Sequence, residues 1–112
     1  MKEYRAIFHL DEKNRGEMVL HNIENLLNDL GEDNVEVELL ANGQGVRVLL
    51  KKSNTNEDLI MRLAAMGVHF AACSNSIRYL GFTKDELFDV VEIVPSGVQK
   101  HRPHNGTGAV GA

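Results

Sequence analysis

The chain has 112 residues, 43% apolar and 25% charged, with a formal net charge of −4 and one cysteine. That length suits one domain around one core. Two tyrosines, four phenylalanines and no tryptophan, with no basic cluster among them, exclude a legible nucleic-acid footprint. No run approaches the roughly 20 apolar residues of a membrane span, and Met1-Lys2-Glu3-Tyr4-Arg5 leads into a strand-like run rather than a signal region. One cysteine excludes an intramolecular disulfide and any redox cycle resolved within the chain; it fits a reducing cytoplasm.

Tyr4 to Leu10 reads as a first strand. Asn14 with Glu17 three residues on matches a capping box, and Val19, Ile23, Leu26, Leu27 and Leu30 form a helical stripe that Gly31 stops. Val35 to Ala41 is a second strand, its apolar residues alternating with Glu36 and Glu38. Asn42-Gly43-Gln44-Gly45 turns the chain. Val46 to Leu50 suits a short helix, although Val46-Arg47-Val48-Leu49 alone would suit a hairpin strand. Ser53-Asn54-Thr55-Asn56 breaks and caps, and Leu59, Ile60, Leu63 and Met66 carry a helix face to Gly67.

Val68 to Cys73 is a buried strand, followed by Ser74-Asn75-Ser76 as a helix N-cap and a short helix with Ile77 and Leu80 that stops at Gly81. Thr83 with Glu86 forms a second capping box. Val90 to Val94 is the last strand, closed by Pro95-Ser96-Gly97. These elements define one α/β domain over residues 1–98. Residues 99–112 turn polar and glycine-rich, a composition that reads as a flexible tail.

Strands alternating with helices imply a parallel sheet with right-handed crossovers, whose chemistry collects at the C-terminal strand ends. Cys73 falls at such an end, on the turn into a helix whose N-terminal partial charge favours thiolate. Small flanking residues (Ala71, Ala72, Ser74, Ser76) leave room for an acceptor. Position alone leaves two readings open, a nucleophile or sulfur carrier and a packed, inert core cysteine.

His69 shares a strand face with Cys73, but four residues of strand separate their Cα atoms by roughly 13 Å, so it is no base for the thiol. His9 is a candidate hydrogen-bond donor or proton shuttle if the first strand ends beside the Cys73 strand; a partly exposed strand-end histidine is the plainer reading. The turn at Asn42 and Gly43 lacks the length and lysine of a phosphate-binding loop, but its backbone suits a pocket wall. His101 and His104 have no cysteine partner and make a poor zinc site. Asp11 and Glu12 read as solvated loop carboxylates. The residues imply no metal and no cofactor.

Gly67-Val68-His69-Phe70-Ala71-Ala72-Cys73-Ser74-Asn75-Ser76, together with Val91-Glu92-Ile93-Val94-Pro95-Ser96-Gly97-Val98, resembles the DsrE/DsrF-like family of small sulfur-relay proteins. Tyr4, Phe8, His9, Asp11 and Glu12 match that family's opening segment, and Gly45-Val46-Arg47-Val48-Leu49 its element after the second strand. The resemblance covers residues 4 to about 98. It implies a three-layer, doubly wound, flavodoxin-like α/β fold: a mainly parallel sheet of four to five strands with helices on both faces. It also implies homo-oligomers such as trimers or hexamers, and a cysteine that carries sulfane sulfur as a persulfide.

Cys73 alone inherits that role; His9, Asn42, Gly43, Ser74 and Asn75 stand as pocket or supporting positions. After Val98 the chain departs from the family pattern of an amphipathic helix and a final strand. The function expected is a cytoplasmic, sulfurtransferase-like sulfur carrier. Its partners are donor and acceptor proteins, with no membrane and no direct nucleic-acid contact. The alternatives are an oligomeric scaffold with an inert cysteine and a single-cysteine redox sensor.

Overall fold

The computed structural model describes residues 2–95. The domain boundary at residue 98, the 99–112 tail and its two histidines lie outside the described residues. Strand β1 (Tyr4–Leu10) leads through a 3-10 turn (Lys13–Arg15) to helix α1 (Gly16–Leu30) and strand β2 (Val35–Ala41). A seven-residue 3-10 helix (Gly43–Leu49) and helix α2 (Glu57–Ala65) connect to strand β3 (His69–Cys73). Helix α3 (Ser74–Leu80), a second 3-10 turn (Lys84–Glu86) and strand β4 (Val91–Val94) follow.

The α/β class and the parallel four-strand sheet are as expected. The strands lie in chain order β1-β2-β3-β4, every pair parallel. Each right-handed crossover therefore steps in the same direction and delivers its helix to the same face. The reversal of order that would wind helices over the second face does not occur among the described residues.

The register assigns the faces. Phe8, Leu39 and Phe70 are cross-strand neighbours on the helix-covered face, as are Leu10, Ala41 and Ala72. All belong to one core cluster with Val19, Leu20 and Ile23 of α1, Ile60 and Leu63 of α2, and Ile77 of α3. The second face carries Ile7, His9, Glu38, Leu40, His69, Ala71, Cys73, Glu92 and Val94. His9, His69 and Glu92 on that face are exposed.

Two close approaches fix what sits on the covered side. A Cβ on Gly45 would stand 2.1 Å from the Leu10 carbonyl oxygen, and one on Gly16 would stand 2.5 Å from Val48. Both lie far inside van der Waals contact, so only glycine lets the 43–49 helix settle onto the end of β1 and the start of α1. That helix is the element expected over Val46–Leu50, in its tighter form. The hairpin-strand alternative is not formed; Leu50, just after the helix, pairs antiparallel with Leu87 as an isolated bridge.

Local caps depart from the sequence reading in two places. The Asn14–Glu17 box is not formed: the chain first makes the Lys13–Arg15 turn, α1 begins at Gly16, and its cap residue is Arg15, which makes no side-chain cap bond. At α3 the cap residue is Cys73 itself, with Ser74 already helical. The Thr83–Glu86 box is present: Thr83 N–H donates to the Glu86 carboxylate at 2.8 Å.

Candidate functional site at the Cys73 corner

Ala72 points into the core and Cys73, one residue on, points to the second face. The β3 backbone is still extended at Cys73 (φ −71°, ψ 126°) and turns helical at Ser74. The thiol thus stands where strand gives way to helix, beside first-turn N–H groups that have no acceptor within the helix. Cys73 is 7% exposed, is not in a disulfide, and makes no side-chain cap hydrogen bond.

Its neighbours follow from the register. Val94 of β4 is its direct partner on one side. On the other, Ala41 pairs with Ala72, so the next residue, Asn42, stands level with Cys73, about 4.8 Å away between Cα atoms. Asn42 keeps extended geometry (φ −142°, ψ 167°), so it continues the alternation of β2 onto the face that carries Cys73. Its N–H donates to Leu10 O at 3.0 Å, extending the ladder to β1.

The 43–49 helix and α3 are tied across this corner. The N–H of Gly43 donates to Ser76 Oγ at 2.7 Å. Gly43 has φ 54°, the left-handed conformation that suits glycine, which turns the chain sharply after Asn42. Asn75 is exposed, and its Oδ1 accepts from Arg78 Nη2 at 2.6 Å. Ser74 is half-buried at the first helical position.

The structure therefore brings Asn42, Gly43, Ser74 and Asn75 to the Cys73 corner. His9 is placed otherwise. Strand β2 intervenes between β1 and β3, so His9 pairs with Leu40, and Leu40 with Ala71. Two strand spacings and two residues of rise leave His9 about 12 Å from Cys73 between Cα atoms. The adjacency on which its proton-shuttle role depended is absent. His69 lies beside Glu38 on the same face, four residues from the thiol along β3.

In the sequence Ser76 reads as a small flanking residue and as part of the helix N-cap. Its role as the hydroxyl that anchors Gly43 needed the knowledge that β2 and β3 are neighbours. Val94, the direct cross-strand contact of Cys73, was visible as a strand residue without its register. Among the described residues no three His, Cys, Asp or Glu side chains gather as a metal site requires, and no helix is long and apolar enough to cross a membrane.

The DsrE/DsrF-like family model matches residues 8–103. No curated protein matches the chain. The solved structure of a protein of unknown function, MTH1491 from Methanobacterium thermoautotrophicum, is similar at 34% identity and a TM-score of 0.85, over 97% of this chain and 99% of that one. The family model starts at Phe8, within β1, and takes in β2, β3, β4, the Cys73 turn and the crossover that carries Gly43; the chain belongs to the DsrE/DsrF-like family.

Proposed function

We propose that this protein is a sulfane-sulfur carrier that loads one sulfur atom onto Cys73 and hands it to the thiol of a partner protein. Membership of the DsrE/DsrF-like family supports sulfur relay as the general chemistry. The observation that carries the specific reading is the place of its one cysteine, at the C-terminal tip of a parallel strand and the cap of the next helix.

The chemistry balances without an external oxidant. Cys73 thiolate attacks the outer sulfur of a donor persulfide; the S–S bond to the donor breaks and the donor leaves as its thiolate. The new Cys73 persulfide is then attacked at its outer sulfur by an acceptor thiolate, which regenerates Cys73. Donor and acceptor are separate molecules, so one cysteine suffices. The first-turn amides of α3 offer donors to the sulfur anion. Homo-oligomerisation as trimer or hexamer belongs to the same reading.

Intact-mass measurement after incubation with a persulfide donor tests it. The wild-type chain gains one reducible sulfur atom and the Cys73→Ala chain gains none. A wild-type chain that takes up nothing, or a variant that takes up the same adduct, ends the proposal.

One observation favours a second reading, an oligomeric scaffold with an inert cysteine: Cys73 is buried and its sulfur makes no cap bond. A thiol reagent separates the two. Labelling of the native protein at a rate close to the denatured one supports the carrier, and labelling only after denaturation supports the scaffold.

A further inference from the structure

On the side of the 43–49 helix away from its Gly43–Ser76 tie lies a cationic groove in a chain of net charge −4. The 3-10 turn after β1 supplies Lys13, the 43–49 helix supplies Arg47, and the loop before α2 supplies Lys52. Together with Thr55 and Asn56 they line a concavity of about 310 Å³. Lys13 and Arg47 also border a shallow, open depression with Glu12, Asn14 and Gln44.

The walls are held in place. Arg47 Nε donates to Gln44 Oε1 at 2.6 Å, and its guanidinium lies over the Phe82 ring, 5.3 Å from the centroid. That fixes the guanidinium plane and leaves its two terminal amino groups unengaged among the described residues. Asn54 locks the opposite wall: its Nδ2 donates to Val48 O at 2.8 Å and to Leu50 O at 2.6 Å, and its Oδ1 accepts from the Asn56 N–H at 2.8 Å. Ser53 sits in the left-handed region at φ 52°, within the loop from which Lys52 and Thr55 line the concavity.

Three cations from three separate segments thus converge without an ion pair to any carboxylate among the described residues. The ion pairs that do form involve Lys51 with Asp89, and Arg62 and His21 with Glu24. Glu12 is the one carboxylate lining either cavity. Converging like charges repel, and a fixed guanidinium fork flanked by two ammonium groups is complementary to phosphoryl oxygens.

We propose that the Lys13–Arg47–Lys52 groove binds a small phosphate-class polyanion of diphosphate size. Arg47 engages one phosphoryl group through its fork, and Lys13 and Lys52 neutralise the remainder. The volume of the groove falls in the range of small-ligand sites, and the open depression beyond the shared Lys13–Arg47 wall leaves room for a second linked anionic group. The reading does not depend on sulfur chemistry at Cys73.

Isothermal titration with inorganic pyrophosphate at about 150 mM NaCl, where long-range surface attraction is screened, is the test. Saturable binding of one pyrophosphate per chain is expected, equally in wild type and Cys73→Ala. Arg47→Gln and Lys52→Gln each weaken it, Arg47→Gln by about tenfold or more. Glu12→Gln tightens it, and Lys84→Gln, on the 84–86 turn, leaves it unchanged. Titration with ADP in parallel distinguishes a free diphosphate from one carried on a nucleoside, by which of the two binds tighter through the same residues. Absence of saturable binding, or equal weakening by Lys84→Gln and Lys52→Gln, overturns the proposal.

Discussion

Leu39 and Leu40 are adjacent, chemically identical residues in the same strand with opposite fates. Leu39 is 0% exposed, and Leu40 is only half-buried. The pleat sends Leu39 under α1 and α2 and Leu40 to the second face, beside His9 on β1 and Ala71 on β3. The same alternation separates Ala72, which belongs to the core, from Cys73, which does not. One face of the sheet packs under the helices, and the other carries the buried thiol beside Val94 and Asn42, on a face where His9, His69 and Glu92 are exposed. A one-residue shift of β3 would exchange the two roles.

The contrast is broken most directly by cutting the same group from each face. Leu39→Ala leaves a cavity in a packed core and is expected to cost about 3 kcal/mol. Leu40→Ala removes a half-solvated side chain and is expected to cost about 1 kcal/mol. Urea denaturation of the two variants measures the difference through the midpoint, with the slope unchanged. Equal losses would mean that the second face is as tightly covered as the first.

A smaller effect tests how closely the covered side is packed. Gly45→Ala drives a methyl group against the backbone of Leu10 and is expected to cost about 2 kcal/mol, because a backbone carbonyl cannot rotate aside. Gly81 has nothing within 4 Å of a built Cβ but sits at φ 82°, so Gly81→Ala carries only the conformational cost, about 1 kcal/mol. If Gly45→Ala were the milder of the pair, the 43–49 helix would not be pinned as described. Since its first residue also anchors to Ser76, Gly45→Ala should in addition raise the labelling rate of Cys73.

Cys73→Ala sharpens the functional half of the comparison. The side chain is small and stands outside the main core cluster, so thermal unfolding should report a loss of about 1 kcal/mol or less. Sulfur uptake should vanish entirely. A loss of several kcal/mol would make the cysteine a packing residue first and would favour the scaffold reading.

How much of this was legible in the sequence depends on the range of the physics involved. Strand limits at Tyr4–Leu10 and Val35–Ala41 agree to the residue, because alternation and flanking polar residues are local signals. The Asn14 cap failed because the Lys13–Arg15 turn packs against the 43–49 helix, a contact some thirty residues distant in the chain. Strand order is non-local as well. With β2 between β1 and β3, Asn42 is delivered to the thiol and His9 is carried away from it. No property of either residue alone distinguishes those outcomes. The cationic groove was invisible for the same reason: Lys13, Arg47 and Lys52 are unremarkable singly, and only the crossovers bring them together.

The weakest expected effect lies on the solvent side of the helix layer, where α1 and α2 are linked by an ion pair rather than by apolar contact. Arg62 Nη2 donates to Glu24 Oε2 at 2.7 Å, and His21 Nδ1 stands 3.5 Å from the other carboxylate oxygen. The hydrogen bond from Arg62, with smaller help from its charge and from His21 and against partial desolvation, holds Glu24 below the ordinary carboxylate range. A depressed carboxylate pKa means that the unfolded chain takes up its proton first. The pair therefore contributes at neutral pH and above the ordinary carboxylate range, and that contribution fades as pH falls through the depressed folded value. Glu24→Gln should remove this part of the acid-side slope in a plot of stability against pH, and raising the salt should shrink the wild-type slope toward it. An unchanged acid limb in Glu24→Gln would assign the link between α1 and α2 to their apolar contacts alone, and the covered side would then owe nothing measurable to charge.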